Sequence, residues 1–540
     1  MACVGCQHYH TTTRNENEAY DDTYCRCTRQ PDEIVESTER MSHSQLSNRA
    51  VFDSLENATD KETRRQLVPS SLCSRCFFVT ECIAYCMGFL GDRYLLDSET
   101  AEELYADIES LPIVDPHTHA DLTEIIANDG WSDIWEVEGA TDHYVWSMMR
   151  KRGIPERKIT GEASNREKWL ALASEFPNFA GNPSYEWIHL DLQRRFGIEK
   201  PISEATAEEI WTETKAQLAT PSMRPQRLLE EMNVEVFCTT DDPTSTLENH
   251  ERAERTIESV DIRPTWRVDR ALHVGRDTWY EFVDQLEQTT GTGTGSFSGF
   301  LEALEETHDY FAAHGCRASD LSLEQIVTRP VSQRRARNVY RRALEGRNLS
   351  VNEVKDFQAF LIEMVGRLNA EKGWVTQLHF GAVRDYRGQL YDTVGADAGG
   401  DVSTQSIELT DNLEYFLNEF DDETEIILYT VDPTHYPTIA TIARAFPNVS
   451  VGPAWWFNDS PYGIEEQLKY AGSVDLLFNH AGMVSDSRKL ISYGSRFEMF
   501  RRTLANVVGE MVDRERVPMA HAEHLVRHLA YDRPKSLYGF

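Results

Sequence analysis

The sequence predicts an α/β chain, a (β/α)8 TIM-type barrel with a helical insertion, preceded by a Cys-rich N-terminal extension. Three observations carry that prediction. Seven strand-like apolar runs follow residue 87, most of them separated by amphipathic helical text. "DPHTH" ends the first run and Asp486 ends the last, at strand ends where barrel enzymes place their chemistry. Eight of the ten cysteines come before residue 87, so the chain changes regime there.

Residues 1–86 are polar, with C-x2-C at Cys3/Cys6 and Cys73/Cys76, C-x-C at Cys25/Cys27, then Cys82 and Cys86. Two C-x2-C pairs can supply the four thiolates of a zinc module. Here the pairs stand far apart, and the plainer reading is an extension that is disordered or not native. Met87 opens "MGFLGDRYLLDSETAEELYADI", which reads as the start of a domain spanning 87–540.

Within that domain, "DSETAEELYADIES" has a capping Ser or Asp, acidic residues in its first turn and helical apolar spacing. "LPIVD" follows as a short run of buried-strand type. The next runs are "NVEVFCTT", "IRPTWRV", "WVTQLHFGAV", "EIILYTVD", "NVSVGPAWW" and "VDLLFNHAGMVSD". "PTIATIARAF" and "GIEEQLKYAG" are helical text between the later ones. Residues 277–370 read as helix after helix, hence an insertion, and "TTGTGTGSFSG" is a loop inside it. An eighth strand has no evident place.

Hydrophobic content of 40% suits a globular protein, and no run nears the roughly 18 apolar residues of a membrane span. The first residues lack a basic start and an apolar core, so the expected location is cytoplasmic. A formal charge of −35 excludes nonspecific binding to nucleic acid or to an anionic membrane. Self-repulsion of that size is screened at about 1 M salt, where the Debye length is roughly 3 Å, so a salt-rich, halophilic cytoplasm is expected. Nothing in the composition decides for or against a homo-oligomer.

In a strand, residues i and i+2 point to one side, so His117 and His119 project together. Neutral imidazoles at that spacing can chelate a divalent metal, most plausibly Zn2+, with a carboxylate such as Asp486 as a further ligand. A strand end with two surface histidines is the plain alternative. Other strand ends supply Arg267, Arg384 and Arg488, and guanidinium binds carboxylate through two parallel hydrogen bonds, which points to an anionic organic substrate. The same arginines could instead pair with the chain's surplus acids. "TDHYVW" sets His143 beside Tyr144 in a predicted loop, either an acid–base pair or a structured turn.

At this point the chain resembles the uronate isomerase (glucuronate isomerase) family of the amidohydrolase superfamily, over residues 88–512. The likeness runs through "DPHTH", "DHYVWSMMRKRGI", "GNPSYEWIHLDLQRRFGI", "TTDDPTSTLENH", "RPTWRVD", "AAHGCRASD", "QLHFGAVR", "WWFND" and "GMVSDSRKLISYGSRFEMFRR". The resemblance implies aldose–ketose isomerisation of hexuronates, D-glucuronate to D-fructuronate and D-galacturonate to D-tagaturonate. It assigns His117, His119 and Asp486 to the metal, and Arg267, Arg384 and Arg488 to the sugar acid. His143 and Tyr144 would lie beside the sugar, and Asp320, Trp455 and Trp456 match active-site blocks. Either Asp486 or Tyr144 could remove the C2 proton. The chain departs from the family at Phe497, where a histidine is usual, at "DYRGQ", and in "YDTVGADAGGDVSTQSIEL". All three are expected near the pocket.

Two rival readings remain. One is a mononuclear metal-dependent hydrolase of the same superfamily, acting on a lactone or an amide. The other is a zinc-binding interaction module tethered to an inactive barrel, which predicts loss of site residues that are all present.

Overall fold

The computed structural model describes residues 89–540. The cysteine-rich extension and its zinc-module reading lie outside the described residues. The first predicted helix is Glu99–Ile108, capped by Ser98, whose side chain accepts from the Ala101 amide, with Glu99 and Glu102 in the first turn.

Strands and helices then alternate. β1 (Ile113–Asp115), β2 (Val234–Cys238) and β3 (Asp261–Arg263) pair in parallel in that order. A five-stranded sheet holds β4 (Trp266–Arg267), β5 (Ala318–Leu323), β6 (Val375–Phe380), β9 (Ile426–Thr430) and β10 (Val449–Val451), again all parallel. A small antiparallel pair, β7 (Ala382–Val383) with β8 (Val402–Ser403), brackets a long excursion. β6, β9 and β10 are buried along their whole length, as parallel strands covered on both faces must be.

The run "IRPTWRV" is split into β3 and β4 at Pro264, which has no amide to donate. Backbone bonds bridge the split: Thr239 N donates to Arg263 O at 3.0 Å, Asp241 N to Thr265 O at 3.0 Å, and Arg267 N to Asp241 O at 2.8 Å. The two sheets therefore share a seam there. At the other end, residues 481–487 form an irregular segment rather than the predicted strand, with Gly482 and Asp486 both at positive φ (92° and 45°). It still bonds on both sides: Ala481 N to Val451 O at 3.0 Å, Asp486 N to His117 O and His119 N to Ser487 O at 3.1 Å each.

Residues 277–370, read from the sequence as helix after helix, are not uninterrupted helix. Helices Asp277–Thr290 and Phe297–Ala313 precede β5, and Gln333–Leu344 and Val351–Lys372 follow it. β5 pairs with β4 and β6 and is the strand the sequence left unplaced. Its text, "ASDLSL", is too polar to read as a buried strand because Ser319 is spent on the Asn369 amide and Asp320 on the pocket. Among the described residues no helix is long and apolar enough to cross a membrane.

Candidate functional site

His117, His119, Arg267, Arg384, Trp455 and Trp456 stand at or just beyond the C-terminal end of a strand, Asp320 lies within β5, Asp486 and Arg488 lie on or just after the irregular segment 481–487, and His143 and Tyr144 open a helix. β1 stops at Asp115, so His117 and His119 sit just past it on a loop. They keep the alternation of a strand: Thr118 turns the other way, its hydroxyl donating to Ser487 O at 2.9 Å, while the two imidazole centroids lie 5.1 Å apart. The Nε2 atoms of both histidines lie 3.3 Å from Asp486 Oδ1. Burial opposes ionisation of Asp486, but hydrogen bonds from His117 and His119 hold its carboxyl well below the usual range. Burial pushes the His119 pKa down to about 4.

Asp320, on β5, is wholly buried beneath this group. His379 Nδ1 lies 2.7 Å from its Oδ1, Arg267 Nε 3.4 Å and His117 Nδ1 3.9 Å from its Oδ2. Burial raises its pKa, but the charges of Arg267, His379 and His117 outweigh that and keep it ionised. Arg267 also donates to Asp269 at 2.8 Å, and its Nη1 lies 3.4 Å from His119 Nε2.

His143 and Tyr144 are not in a loop as predicted; they open the helix His143–Lys151. Asp142 caps that helix, accepting from the amides of Tyr144 at 2.8 Å and Val145 at 3.3 Å. The His143 and Tyr144 rings stack at 4.6 Å. Burial and then the Arg488 charge lower the His143 pKa, so the ring is neutral. Burial and then the Asp486 charge push the Tyr144 phenol well above 10. On the far wall, Trp456 adopts φ 51° and carries the Arg384 guanidinium 4.9 Å above its ring, and Trp455 meets the His379 ring edge-on at 4.6 Å.

One pocket is lined by His117, His119, His143, Arg267, His379, Arg384, Trp455, Trp456, Asp486 and Arg488. Asp320 and Tyr144 stand directly behind it. His379 is the one lining residue that sequence reasoning did not single out; it sits inside "QLHF", a run that reads as core, and its ring stacks on Tyr429 at 4.1 Å. Phe497, expected near the pocket, is instead packed in the hydrophobic core and does not line it.

Several buried polar atoms here have no protein hydrogen-bond partner: His117 Nδ1, both nitrogens of His143, His379 Nε2, the Tyr144 hydroxyl and Trp455 Nε1. Such atoms are costly unless a bound group satisfies them. Among the described residues two groups have metal-ligand spacing, His117–His119–Asp486 and His117–Asp320–His379. The first fits a divalent cation better, because Asp320 is already neutralised by Arg267.

Comparison with known proteins gives a consistent picture. A family model described as glucuronate isomerase matches residues 87–538. The uronate isomerase of Thermotoga sp. (strain RQ2) is 57% identical over 450 residues, 83% of this chain and 99% of that one. The uronate isomerase of Oceanobacillus iheyensis is 34% identical over 465 residues, 84% and 98% of the two chains. Among solved structures, uronate isomerase from Thermotoga maritima superposes with a TM-score of 0.82 at 56% identity, covering 83% of this chain and 99% of that one. Glucuronate isomerase from Caulobacter crescentus gives 0.81 at 27% identity, covering 84% and 97%.

Proposed function

The chain belongs to the glucuronate isomerase family, and from that premise we propose how its residues move a carbonyl along a sugar acid. It is a hexuronate isomerase; the hydrolase reading is not favoured. D-glucuronate and D-galacturonate are the substrates we assign, with D-fructuronate and D-tagaturonate as products. The fold is read as an eight-membered (β/α) barrel closed through residues 481–487, a reading supported by their backbone bonds to Val451 and His117.

The observation that carries the mechanism is the meeting of His117 and His119 on one oxygen of Asp486 beneath the Arg384–Arg488 rim. His117, His119 and Asp486 would hold a divalent cation, zinc by the chemistry of its donors, which when bound polarises the sugar carbonyl. Isomerisation removes the C2 proton and delivers one to C1 through an enediol. Asp486 is the base, since its carboxyl is ionised whereas the buried Tyr144 phenol is not. Tyr144 and His143 offer their unpartnered polar atoms to the sugar oxygens. Arg384 and Arg488 take the substrate carboxylate, and Trp455 and Trp456 wall the site from water.

The test is a colorimetric ketose assay on each sugar separately, in molar KCl, with and without a chelator. Ketose should form, stop on chelation and return with Zn2+. No turnover of either sugar by folded, metal-loaded protein would sink the proposal. A second expectation concerns the rim. Arg488→Gln removes a charge-assisted hydrogen bond worth about 1.5–3 kcal/mol, so KM should rise by roughly 10- to 100-fold with a smaller change in kcat. An unchanged KM would place the carboxylate elsewhere.

A further inference from the structure

The two rim arginines already share a carboxylate. Arg488 Nη2 donates to Asp397 Oδ2 at 2.6 Å, and Arg384 Nη1 lies 3.9 Å from Asp397 Oδ1. Asp397 belongs to the excursion between β7 and β8. It does not line the pocket and is half exposed.

The excursion holds that carboxylate in place. The Asp397 backbone is left-handed, at φ 60°, and its amide donates to Asp385 Oδ1 at 3.2 Å; the Asp385 amide in turn donates to Asp401 Oδ1 at 2.7 Å. Beyond it, the Arg150 guanidinium donates to Ala398 O, and Ser147 Oγ to Gly399 O at 2.8 Å. Gly399 has φ 85°, and a Cβ there would come within 2.6 Å of Ser147 Oγ and 2.8 Å of His143 O. The loop is therefore pressed onto the helix that begins with His143 and Tyr144. A left-handed aspartate in a loop anchored this way is backbone strain kept next to a functional site.

We propose that Asp397 is a specificity-determining residue, an internal carboxylate that occupies Arg384 and Arg488 until the substrate's own carboxylate displaces it. The inference rests on the reading that these arginines bind the substrate carboxylate. The two guanidiniums hold one carboxylate between them, the same group that an incoming sugar acid presents. A neutral sugar has nothing to exchange for the Asp397 contact, so it gains nothing from the pair. A hexuronate binds at the expense of that contact, and its keto-acid product leaves as the contact re-forms.

The probe is D-glucuronate reduced at C1, which keeps the carboxylate and cannot isomerise, titrated calorimetrically into zinc-loaded full-length protein. Asp397→Asn, which tolerates the same left-handed backbone, should bind it about three- to five-fold more tightly, the scale of losing one half-exposed competing ion pair. Asp397→Ala should agree, the gain should shrink with added KCl, and D-glucitol should show no gain. In turnover, KM should fall by more than kcat does. Equal or weaker binding by both variants with unchanged melting, or an equal gain for D-glucitol, overturns the inference. Arg384→Gln and Arg488→Gln separate the two levels. If they leave the affinity of the parent protein unchanged, the arginine assignment has failed and takes this inference with it. If they weaken it while Asp397→Asn brings no gain, only the role of Asp397 is lost.

Discussion

Asp486→Asn should reduce kcat by at least about 10³-fold, at the upper end of what a positioned base contributes, and should also lower the bound metal measured by elemental analysis. The substitution keeps the side-chain shape, and asparagine accepts the positive φ of 45° at this position, so the melting temperatures of the two metal-free proteins should differ little. Asp486 is the meeting point of both histidines, so on the proposed mechanism one change removes a cation ligand and the base together. Tyr144→Phe is the control. Its hydroxyl is held un-ionised by burial and by Asp486, so it acts as a donor only, and the loss should be about 10-fold. A larger loss for Tyr144→Phe than for Asp486→Asn would reverse the assignment of the base.

How far the site was legible depends on how close in sequence its parts lie. His117 and His119 were readable because alternation sets them on one side over three residues, even though β1 ends before them. The arginines were readable because charge at the end of an apolar run is conspicuous. His379 was not, since a single histidine inside a wholly buried run looks like core until Asp320 appears 2.7 Å away. The same cause hid β5: Asp320 faces the pocket, so the strand lacks the apolar periodicity that announces the others. Asp397 was invisible for a different reason. Its partner Arg488 is 91 residues away, and only the folded excursion brings them together. Sequence periodicity reports burial on an element; it does not report which distant charge will sit opposite.

Lys489→Met should cost about 3–5 kcal/mol of stability, the range for breaking a buried ion pair by removing one partner. The Lys489 ammonium lies 2.9 Å from Glu138 Oε2 and 3.1 Å from Asp142 Oδ2, all three side chains buried, with the buried Asp191 carboxylate close enough to raise the ammonium's pKa. One ammonium thus faces three carboxylates. Burial pushes Glu138 up to about 8, so the folded chain holds a proton that the unfolded chain releases above about 4.5. The contribution of Glu138 therefore falls as pH climbs between those values, because the unfolded state then binds fewer protons than the folded one. Without the ammonium the remaining carboxylates resist ionisation more strongly, and the variant should lose stability more steeply with pH than the parent. Urea unfolding at about pH 6 and about pH 8.5 reads this directly, with the larger deficit at the higher pH. Activity should fall as well, because Asp142 caps the helix that aims His143 and Tyr144 and would lose the cation on its other oxygen. Adding Glu138→Gln should restore part of the stability at the higher pH, by removing a carboxyl whose proton the folded chain keeps and the unfolded chain releases. A deficit below about 1 kcal/mol, or one independent of pH, would show that the cluster reorganises or hydrates instead.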